Sequence, residues 1–287
     1  MNDYVIFADS SCDLSVGMLK SRGVYSLPLS FRFNNDKEYK NSEMTAEEFY
    51  SRMRSGDAAK TSAVNPEDFA REFEKQLRRG KDILYLGFSS ALSSTYNSAR
   101  IAADMLNSSY PQHRILTVDS LSASAGIALL IDNVLKEKHK LPSIADAKEY
   151  ADALKHKICH LFTVDDLAYL MRGGRVSPTA AFFGNVLGIK PLLVVDEGGR
   201  LTNKQKVRGR KNAIYSMAEC CSEKIDNNFP LVAYISHADC SADANELKHV
   251  LKEKYGINTK LITNVGPVIG AHSGPGTLAL FFIGKER

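Results

Sequence analysis

The sequence predicts an α/β protein with two α/β domains, a Rossmann-like parallel-sheet domain followed by a mixed-sheet domain. Apolar runs alternate with amphipathic helical segments through the first half of the chain, an order typical of a parallel sheet covered by helices. Residues 190–207 instead read as strand, tight turn and strand, which is an antiparallel pattern. A chain of 287 residues is long enough for two cores. We place the domains at residues 1–158 and 159–287.

The first half begins with a strand that breaks into a polar turn at Asp9. Periodicity predicts strands at residues 5–8, 24–33, 83–88 and 114–118, and helices at 15–22, 45–55, 66–80, 96–106, 122–138 and 144–156. Residues 38–40 are expected to return as a small hairpin, part of an insertion near residues 24–60. Residues 60–65 are expected to form a loop, with Pro66 opening the next helix.

The second half combines a hairpin with further helix and strand pairs. We expect strands at residues 161–164, 190–195, 201–207, 231–235, 259–263 and 278–283, and helices at 165–171, 211–225 and 242–254. Residues 265–276, VGPVIGAHSGPG, are rich in Gly and Pro and are expected to form a loop with His272 and Ser273 at its centre.

Composition excludes several classes of protein. The net charge is +4 and the basic residues are dispersed, so nucleic-acid binding has little support. No apolar run approaches the roughly 20 residues that span a bilayer. The N-terminus shows no secretion signal, and the five cysteines form neither a disulfide framework nor a metal-binding spacing. We expect a cytoplasmic protein with free thiols, no metal and at most peripheral membrane contact.

One stretch predicts an anion site. The apolar run at residues 83–88 is followed directly by SSALSSTYNSA at residues 89–99. A predicted buried strand therefore ends in hydroxyl side chains and the start of a helix. Free backbone N–H groups and hydroxyls at such a place bind anions. Ligands of open parallel sheets bind beyond the carboxyl ends of the strands, where residues 9–12 also fall.

Polar residues on three loops are the candidates for chemistry. They are Thr61 and Ser62, Ser93 and Ser94, and His272 with Ser273. Each has a structural alternative, because Ser94 or Thr95 can cap the following helix and a histidine in a glycine-rich loop can serve as a local hydrogen-bonding group. Phosphate-loop, dinucleotide-binding, nucleophile-elbow and zinc-protease motifs are missing from the sequence.

Seven motifs in order make the sequence resemble the DegV family from end to end. They are ADSSCDL at residues 8–14, TSAVNPEDF at 61–69, SSALSSTYNSA at 89–99, VDSLSASAG at 118–126, DDLAYLMRGGRVS at 165–177, IKPLL at 189–193 and GPVIGAHSGPG at 266–276. The resemblance implies a two-domain α/β protein with a ligand tunnel between or beneath the domains.

The resemblance also implies a function. Such proteins bind a long-chain fatty acid, such as palmitate, stearate or oleate, as the acyl-carrying subunit of fatty acid kinase, and present its carboxylate to an ATP-dependent partner for conversion to an acyl phosphate. By resemblance Thr61, Ser93 and His272 hold the carboxylate, with Ser62 and Ser94 as possible additions, and Arg172 and Arg175 dock the partner. No cofactor or ATP site of its own is implied.

Some alternatives stay open. One is a stand-alone serine hydrolase with Ser93 as nucleophile and His272 as base; another is a lipid-responsive regulatory protein. Ser94 stands where relatives often have glycine, and Ala63 departs from the family's threonine motif, so chain-length preference is undecided. The residues that could line the tunnel, each more often a core residue, are Phe31, Phe33, Phe182, Phe183, Ile189, Phe281 and Phe282.

The chemistry of the proposed head-group donors suggests one hypothesis. A fixed Arg clamp would stabilise a free carboxylate and oppose its conversion to an acyl phosphate, whereas neutral donors can serve either species. We therefore interpret the Ser and Thr residues as a neutral donor set.

Overall fold

A computed structural model describes residues 3–34, 36–177 and 188–287 of the protein. The strands are β1 (Tyr4–Asp9), β2 (Val24–Leu27), β3 (Ser30–Phe33), β4 (Tyr39–Lys40), β5 (Ala59–Ser62), β6 (Asp82–Gly87), β7 (Ile115–Asp119), β8 (Ile158–Thr163), β9 (Ile189–Val195), β10 (Leu201–Arg208), β11 (Val232–His237), β12 (Asn258–Asn264) and β13 (Leu278–Ile283).

Helices alternate with these strands along the chain. They are α1 (Val16–Ser21), α2 (Ala46–Arg54), α3 (Pro66–Leu77), α4 (Thr95–Ser109), α5 (Ala125–Glu137), α6 (Ile144–Lys155), α7 (Ala168–Arg172), α8 (Arg210–Lys224), α9 (Ser241–Tyr255) and α10 (Pro267–Ser273). Short 3-10 turns cover Ser10–Cys12 and Lys138–Lys140.

The strands form two principal sheets, which confirms the predicted α/β class. The first has the order β2-β1-β6-β7, and all its neighbouring strands run parallel. The second has the order β10-β9-β8-β13-β11-β12 and is mixed, because only β11 and β12 run parallel to each other. The antiparallel hairpin of β9 and β10 was predicted and is confirmed.

Helix α5 lies between the two sheets. Nearly every residue in its first two turns is buried, because it contacts β6 on one side and β8, β11 and β13 on the other. The largest hydrophobic cluster consequently contains residues of both sheets, including Leu84 from β6 and Phe281 from β13. The first strand of the mixed sheet along the chain is β8, which begins at Ile158. A division into domains between residues 158 and 159 stays a prediction.

Two predictions about residues 24–65 are wrong. Residues 24–33 are not one strand: β2 belongs to the parallel sheet, whereas β3 joins a separate antiparallel sheet of order β4-β3-β5. Pro28 lies between them, and a proline cannot donate to a strand ladder. Residues 60–65 are not wholly a loop, since Thr61 in β5 pairs with Phe31 in β3. The small hairpin of β3 and β4 is confirmed.

The expectation of a loop at residues 265–276 is also wrong. Most of this segment is helix α10, which begins at Pro267 and ends at Ser273; the next residue is Gly274, where φ is +81°. A proline in the first turn and a glycine after the last are favourable helix ends, so the residues that suggested a loop are the helix boundaries.

Side chains of the small-sheet region hold α10 in place. Tyr50 on α2 donates its hydroxyl hydrogen to the Val265 carbonyl at 2.7 Å, and Asn41 Oδ1 accepts the Val268 N–H at 3.0 Å. Tyr50 is fully buried. These contacts fix the helix that carries His272.

Candidate functional site

A cavity of about 230 Å³ lies where the three sheets meet. Its lining includes Thr61, Ser62 and Ala63 from β5 and the loop after it, Phe88, Leu92, Ser93 and Ser94 from the segment after β6, Ala123 and Ser124 before α5, His160 and Phe162 from β8, Ala279 and Phe281 from β13, and Val268, Ile269, His272 and Ser273 from α10. The wall is largely apolar, with its hydroxyls supplied mainly by loops and helix ends.

Thr61 and His272, which both line the cavity, are in direct polar contact. Thr61 Oγ1 and His272 Nε2 are 2.8 Å apart, within hydrogen-bond distance, although 211 positions separate the residues in the sequence. Thr61 is held by its pairing in the small sheet and His272 by α10. The structure therefore brings together two residues that the sequence placed in separate loops.

The opposite edge of the His272 ring packs against Gly173, directly after α7. A Cβ at Gly173 would overlap His272 Nδ1. Gly173 has ordinary helical dihedral angles, so glycine is needed there for close approach and not for backbone freedom. Gly173, the first glycine of the pair in the motif at residues 165–177, thus helps to position the imidazole.

Burial keeps His272 neutral. It lowers the pKa of the imidazole to about 4, and the positive charge of Arg175 contributes in the same direction. A neutral imidazole has one N–H donor and one acceptor nitrogen, which suits it to a hydrogen bond with the Thr61 hydroxyl. At neutral pH the site therefore contains no imidazolium.

Arg175 brings a cation to the same wall. Its Nε and Nη2 donate to the Leu92 carbonyl at 3.1 and 2.9 Å, and Nη1 donates to the Gly173 carbonyl. It forms no ion pair with any described carboxylate, and burial lowers the pKa of its guanidinium. The hypothesis of a purely neutral donor set is therefore incomplete, because a guanidinium also lines the cavity.

Ser93 lies at the entrance to α4. Its Oγ accepts the Thr95 N–H at 3.2 Å and lies 3.0 Å from Thr95 Oγ1. Ser94, which is next to the helix and was considered as its cap, makes no side-chain capping hydrogen bond. Ser93 accepts one N–H at the helix end, and both serines line the cavity.

The candidate residues divide into two groups. Thr61, Ser62, Ser93, Ser94, His272 and Arg175 all line the cavity. Arg172 does not: it is exposed on α7, its guanidinium stands 4.6 Å from the centre of the Tyr169 ring, and its Nε donates to the Ala168 carbonyl at 3.3 Å.

The candidate tunnel residues also divide. Phe281 lines the cavity, whereas Phe31, Phe33 and Phe282 belong to other hydrophobic clusters and Ile189 is outside the lining. Phe182 and Phe183 lie outside the described residues. Among these candidates in the described ranges, Phe281 alone lines the cavity.

Sequence reasoning missed the polar wall residues Ser124, His160 and Thr277, and it assigned Arg175 to docking alone, although that residue also lines the cavity. Ser124 donates to Asp13 Oδ2 at 2.5 Å, so its hydroxyl belongs to a buried network. His160 had a visible signal, because it is the one histidine within the otherwise apolar segment ICHLF of a buried strand.

In the described parts of the chain, no helix combines the length and apolar character needed to cross a bilayer. Among the same residues, no three His, Cys, Asp or Glu side chains come together as a metal site. All five cysteines have free thiols, as predicted.

Comparisons with known proteins agree with this architecture. A solved stearic acid-binding protein of Eubacterium ventriosum is 27% identical, superposes with a TM-score of 0.89, and is matched over 98% of each chain. The fatty acid kinase B3 protein of Streptococcus pneumoniae, solved with linoleic acid, superposes with a TM-score of 0.84 over 98% of this chain and 99% of its own; at 21% identity it supports the fold alone.

The sequence comparisons identify the family. A DegV domain-containing protein of Clostridium perfringens is 41% identical, covering 100% of this chain and 99% of its own. The family model described as "Uncharacterised protein, DegV family" matches residues 3–285. The chain therefore belongs to the DegV family.

Proposed function

We propose that the protein binds a long-chain fatty acid in the cavity and presents the carboxylate to a partner kinase. The observation that carries this proposal is the convergence of Thr61, Ser93 and His272 on an otherwise largely apolar cavity. A fatty acid has the matching chemistry, one anionic head and a long apolar chain. The stearic acid-binding relative supports the same ligand class.

The apolar wall supplies most of the affinity in this proposal. Each CH₂ group moved from water into the wall contributes about 0.8 kcal/mol, so a long chain gains far more than its head group can. Phe162, Ala279 and Phe281 provide such a wall on one face of the mixed sheet. The bound fatty acid can be palmitate, stearate or oleate.

The polar residues keep the carboxylate from being buried without partners. Ser93 offers a hydroxyl donor. When the neutral His272 donates its Nε2–H to Thr61 Oγ1, the hydroxyl hydrogen of Thr61 is free to donate to the carboxylate. Ser62 and Ser94 also line the cavity, and we propose them as additional donors. Arg175 supplies a nearby positive charge, and its bonds to Leu92 hold that charge beside the Ser93 segment.

Presentation to the kinase needs a surface as well as a cavity. In the proposed reaction a carboxylate oxygen attacks the γ-phosphorus of ATP on the partner, giving an acyl phosphate and ADP. Arg172 is exposed and lies three positions from the cavity-lining Arg175, so we propose it as a docking cation. We assign Arg175 to the cavity instead, because backbone carbonyls already hold its guanidinium there.

The serine hydrolase alternative has less geometric support. The one side-chain hydrogen bond of His272 among the described residues goes to Thr61, and Ser93 bonds to Thr95. A hydrolase would need a hydrogen bond between Ser93 and the imidazole and an acid that orients the ring.

A kinase partner implies a site of action where ATP is available, so we propose the cytoplasm.

Native mass spectrometry of purified and delipidated protein tests the binding step. We expect the purified protein to carry a fatty acid and the delipidated protein to take up added stearate at one molecule per chain. An empty protein that ignores stearate but cleaves p-nitrophenyl palmitate would overturn the proposal in favour of the hydrolase.

The docking step is tested with an ATP-dependent fatty acid kinase subunit from a bacterium that has a DegV protein. We expect Arg172→Glu to slow acyl phosphate formation about tenfold or more, trapped as the hydroxamate, with unchanged stearate affinity. Lys254→Glu is the matched control, since Lys254 is also exposed and stands 4.8 Å from the centre of the Tyr215 ring. Equal rates for wild type and Arg172→Glu would contradict docking through Arg172.

A further inference from the structure

Asp13 lies between the cavity and an open cleft of about 970 Å³. It directly follows the 3-10 turn Ser10–Cys12 in the motif at residues 8–14, and it is 6% exposed. On one side it lines the cleft, as does Lys20 of α1. On the other side its carboxylate bonds to Ser124, which lines the cavity. One buried carboxylate thus borders both the cleft and the cavity wall.

The hydrogen bonds of Asp13 join three separate elements. Its Oδ1 accepts the N–H of Gly266 at 2.9 Å, and its Oδ2 accepts the hydroxyl hydrogen of Ser124. Gly266 is the residue directly before α10, and Ser124 is the residue directly before α5. The carbonyl of Asp13 also accepts from Thr263 Oγ1 of β12 at 2.8 Å. Asp13 therefore links the starts of both helices to the segment after β1.

The start of α10 packs closely against this carboxylate. A Cβ at Gly266 would lie 2.9 Å from Asp13 Oδ1 and 2.9 Å from Asn41 Nδ2. Helix α10 has seven residues and carries Val268 and His272, which line the cavity. Because the helix is so short, the position of its first residue determines where His272 lies.

The carboxyl of Asp13 changes its charge near neutral pH. Burial raises its pKa to about 7, and the negative charge of Asp9 adds to the increase, while its hydrogen bonds act in the opposite direction. The other titratable groups that interact with it are Cys12 and Tyr50, which stay uncharged because burial raises the pKa of each. Its partners before α5, in β12 and before α10 are uncharged, and Lys20 lines the cleft.

The two states of this carboxyl differ as hydrogen-bond partners. An ionised carboxylate accepts through both oxygens, and hydrogen bonds to an ionised acceptor are the stronger ones. A proton taken up from the cleft onto Oδ2 makes that oxygen a donor, so the hydroxyl hydrogen of Ser124 has to turn elsewhere. Ser236 Oγ lies 2.8 Å from Ser124 Oγ and can accept it. Protonation of Asp13 therefore weakens its bonds at the starts of α5 and α10.

We propose that Asp13 is a positioning residue for the carboxylate site: when ionised, it holds α10, and with it His272, where the head group of the fatty acid binds. This role rests on the proposed fatty-acid binding and adds a regulation by pH, since protonation of Asp13 lowers the affinity. Asp13 acts through α10 and Ser124 and is outside the cavity lining, so it does not touch the ligand.

The test compares the wild type with Asp13→Asn, whose side chain has one acceptor and one donor group and so imitates the protonated carboxyl. Stearate is titrated into both delipidated proteins. We expect the wild type to bind stearate about tenfold tighter than Asp13→Asn at pH 8, and only about twofold tighter at pH 6. The ratio of the two affinities at each pH cancels any titration of stearate itself.

Asp226→Asn is the matched control. Asp226 is also buried and accepts from Lys157 Nζ at 3.1 Å, but it lies outside the lining of the cavity and of the cleft. We expect this variant to bind stearate like the wild type at both pH values.

Proton release gives a second readout, one that a merely structural role would not change. A tenfold preference of stearate for the ionised form lowers the pKa of Asp13 by about one on binding. At pH 7 the wild type should therefore release about 0.4 proton more per bound stearate than Asp13→Asn. Calorimetric titrations in buffers of different ionisation enthalpy measure this number.

The outcomes separate this proposal from the one on which it rests. If stearate binds but its affinity ratio between wild type and Asp13→Asn is the same at both pH values, or if Asp226→Asn shows the same loss, the role of Asp13 is overturned and fatty-acid binding stands. If the wild type binds no stearate at either pH, both proposals fail. Should Asp13→Asn not fold, ¹³C spectra of the wild-type carboxyl decide: a pKa of Asp13 that falls on stearate binding supports the proposal, and an unchanged pKa overturns it.

Discussion

The two large sheets contribute to the cavity in different ways. The parallel sheet contributes through the segments that follow its strands, such as Ser93 after β6 and Ser124 after β7. The mixed sheet contributes through residues within its strands, such as Phe162 and Phe281, whose side chains stand on one pleated face. The parallel sheet thus supplies the segments that follow its strands, and the mixed sheet supplies one face of its strands.

This difference separates the two tasks of a fatty-acid site. Segments that end a strand or start a helix have free backbone groups and favour hydroxyl residues, so they suit a carboxylate. A strand face is continuous and apolar, so it suits a hydrocarbon chain. Changes to the face should therefore affect chain burial, whereas changes at the ends should affect recognition of the head group.

The largest loss of stearate affinity is expected when a bulky side chain is placed on the cavity-facing side of the mixed sheet. Ala279→Phe adds a side chain where the proposed acyl chain lies and should displace about four CH₂ groups, about 3 kcal/mol or roughly a 100-fold loss of stearate affinity. Titration of delipidated protein measures the loss, and circular dichroism checks that the variant folds. Unchanged affinity would show that the chain does not run along β13.

A smaller effect is expected at the head-group end. Thr61→Val keeps the shape and removes the hydroxyl that lies 2.8 Å from His272 Nε2, so we expect about a tenfold to 30-fold loss of stearate affinity. Thr259→Val is the matched control, because Thr259 Oγ1 is buried without a partner and lies outside the cavity lining. Equal losses in the two variants would mean that the Thr61 hydroxyl does not contact the ligand.

Moving His272 without altering it should have a still smaller effect. In Gly173→Ala the new methyl group meets the imidazole, so we expect about a fivefold loss of stearate affinity. Gly17→Ala provides the control, since its Cβ meets only Ser15 Oγ at an ordinary 3.9 Å. If crystal structures show the ring displaced and affinity is nevertheless unchanged, His272 is not part of the carboxylate site.

The smallest effect concerns pH. Because the pKa of His272 is about 4 in the folded protein and about 6.5 when unfolded, the unfolded chain takes up the proton first. Its contribution to stability is present above about pH 6.5 and is lost as the pH falls toward 4. Between pH 7 and pH 6 we expect the delipidated protein to lose about 0.7 kcal/mol from this residue.

The pH effect must be measured as a difference between proteins. Burial raises the pKa of Asp13 to about 7, which gives the opposite sign in the same range, and His160 acts in the same direction as His272. Subtracting the urea unfolding free energies of His272→Gln from those of the wild type isolates one residue. A difference that stays constant from pH 7 to pH 5 would contradict a neutral, buried His272.

Local patterns predicted the alternation of strands and helices well, because apolar periodicity reports which face of each element is buried. The predictions from local patterns failed where a strand is made of polar residues and where a helix contains glycines. Strand β5 has the polar sequence AKTS, and its position depends on pairing with β3. Helix α10 was not predicted because its glycines suggested a loop, whereas a glycine such as Gly270 permits close packing against Tyr50.

The candidate site shows the same division. Thr61, Ser93 and His272 were among the six polar residues on three loops that the sequence offered as candidates, and the family resemblance assigned them a common role, since nothing local links residues so far apart in the sequence. The place of Arg175 in the wall follows from tertiary packing alone. The Arg175 side chain reaches the Leu92 carbonyl across 83 positions, a contact that no sequence spacing predicts.

Comparing stearate with octadecanol tests the central claim most directly, because the two ligands share a chain and differ in the head group. The account predicts that delipidated wild-type protein binds stearate about tenfold or more tighter than octadecanol, and that this preference falls to about one in the double variant Thr61→Val, Ser93→Ala. Equal binding of the two ligands by the wild type, or a preference that survives the double substitution, would contradict it.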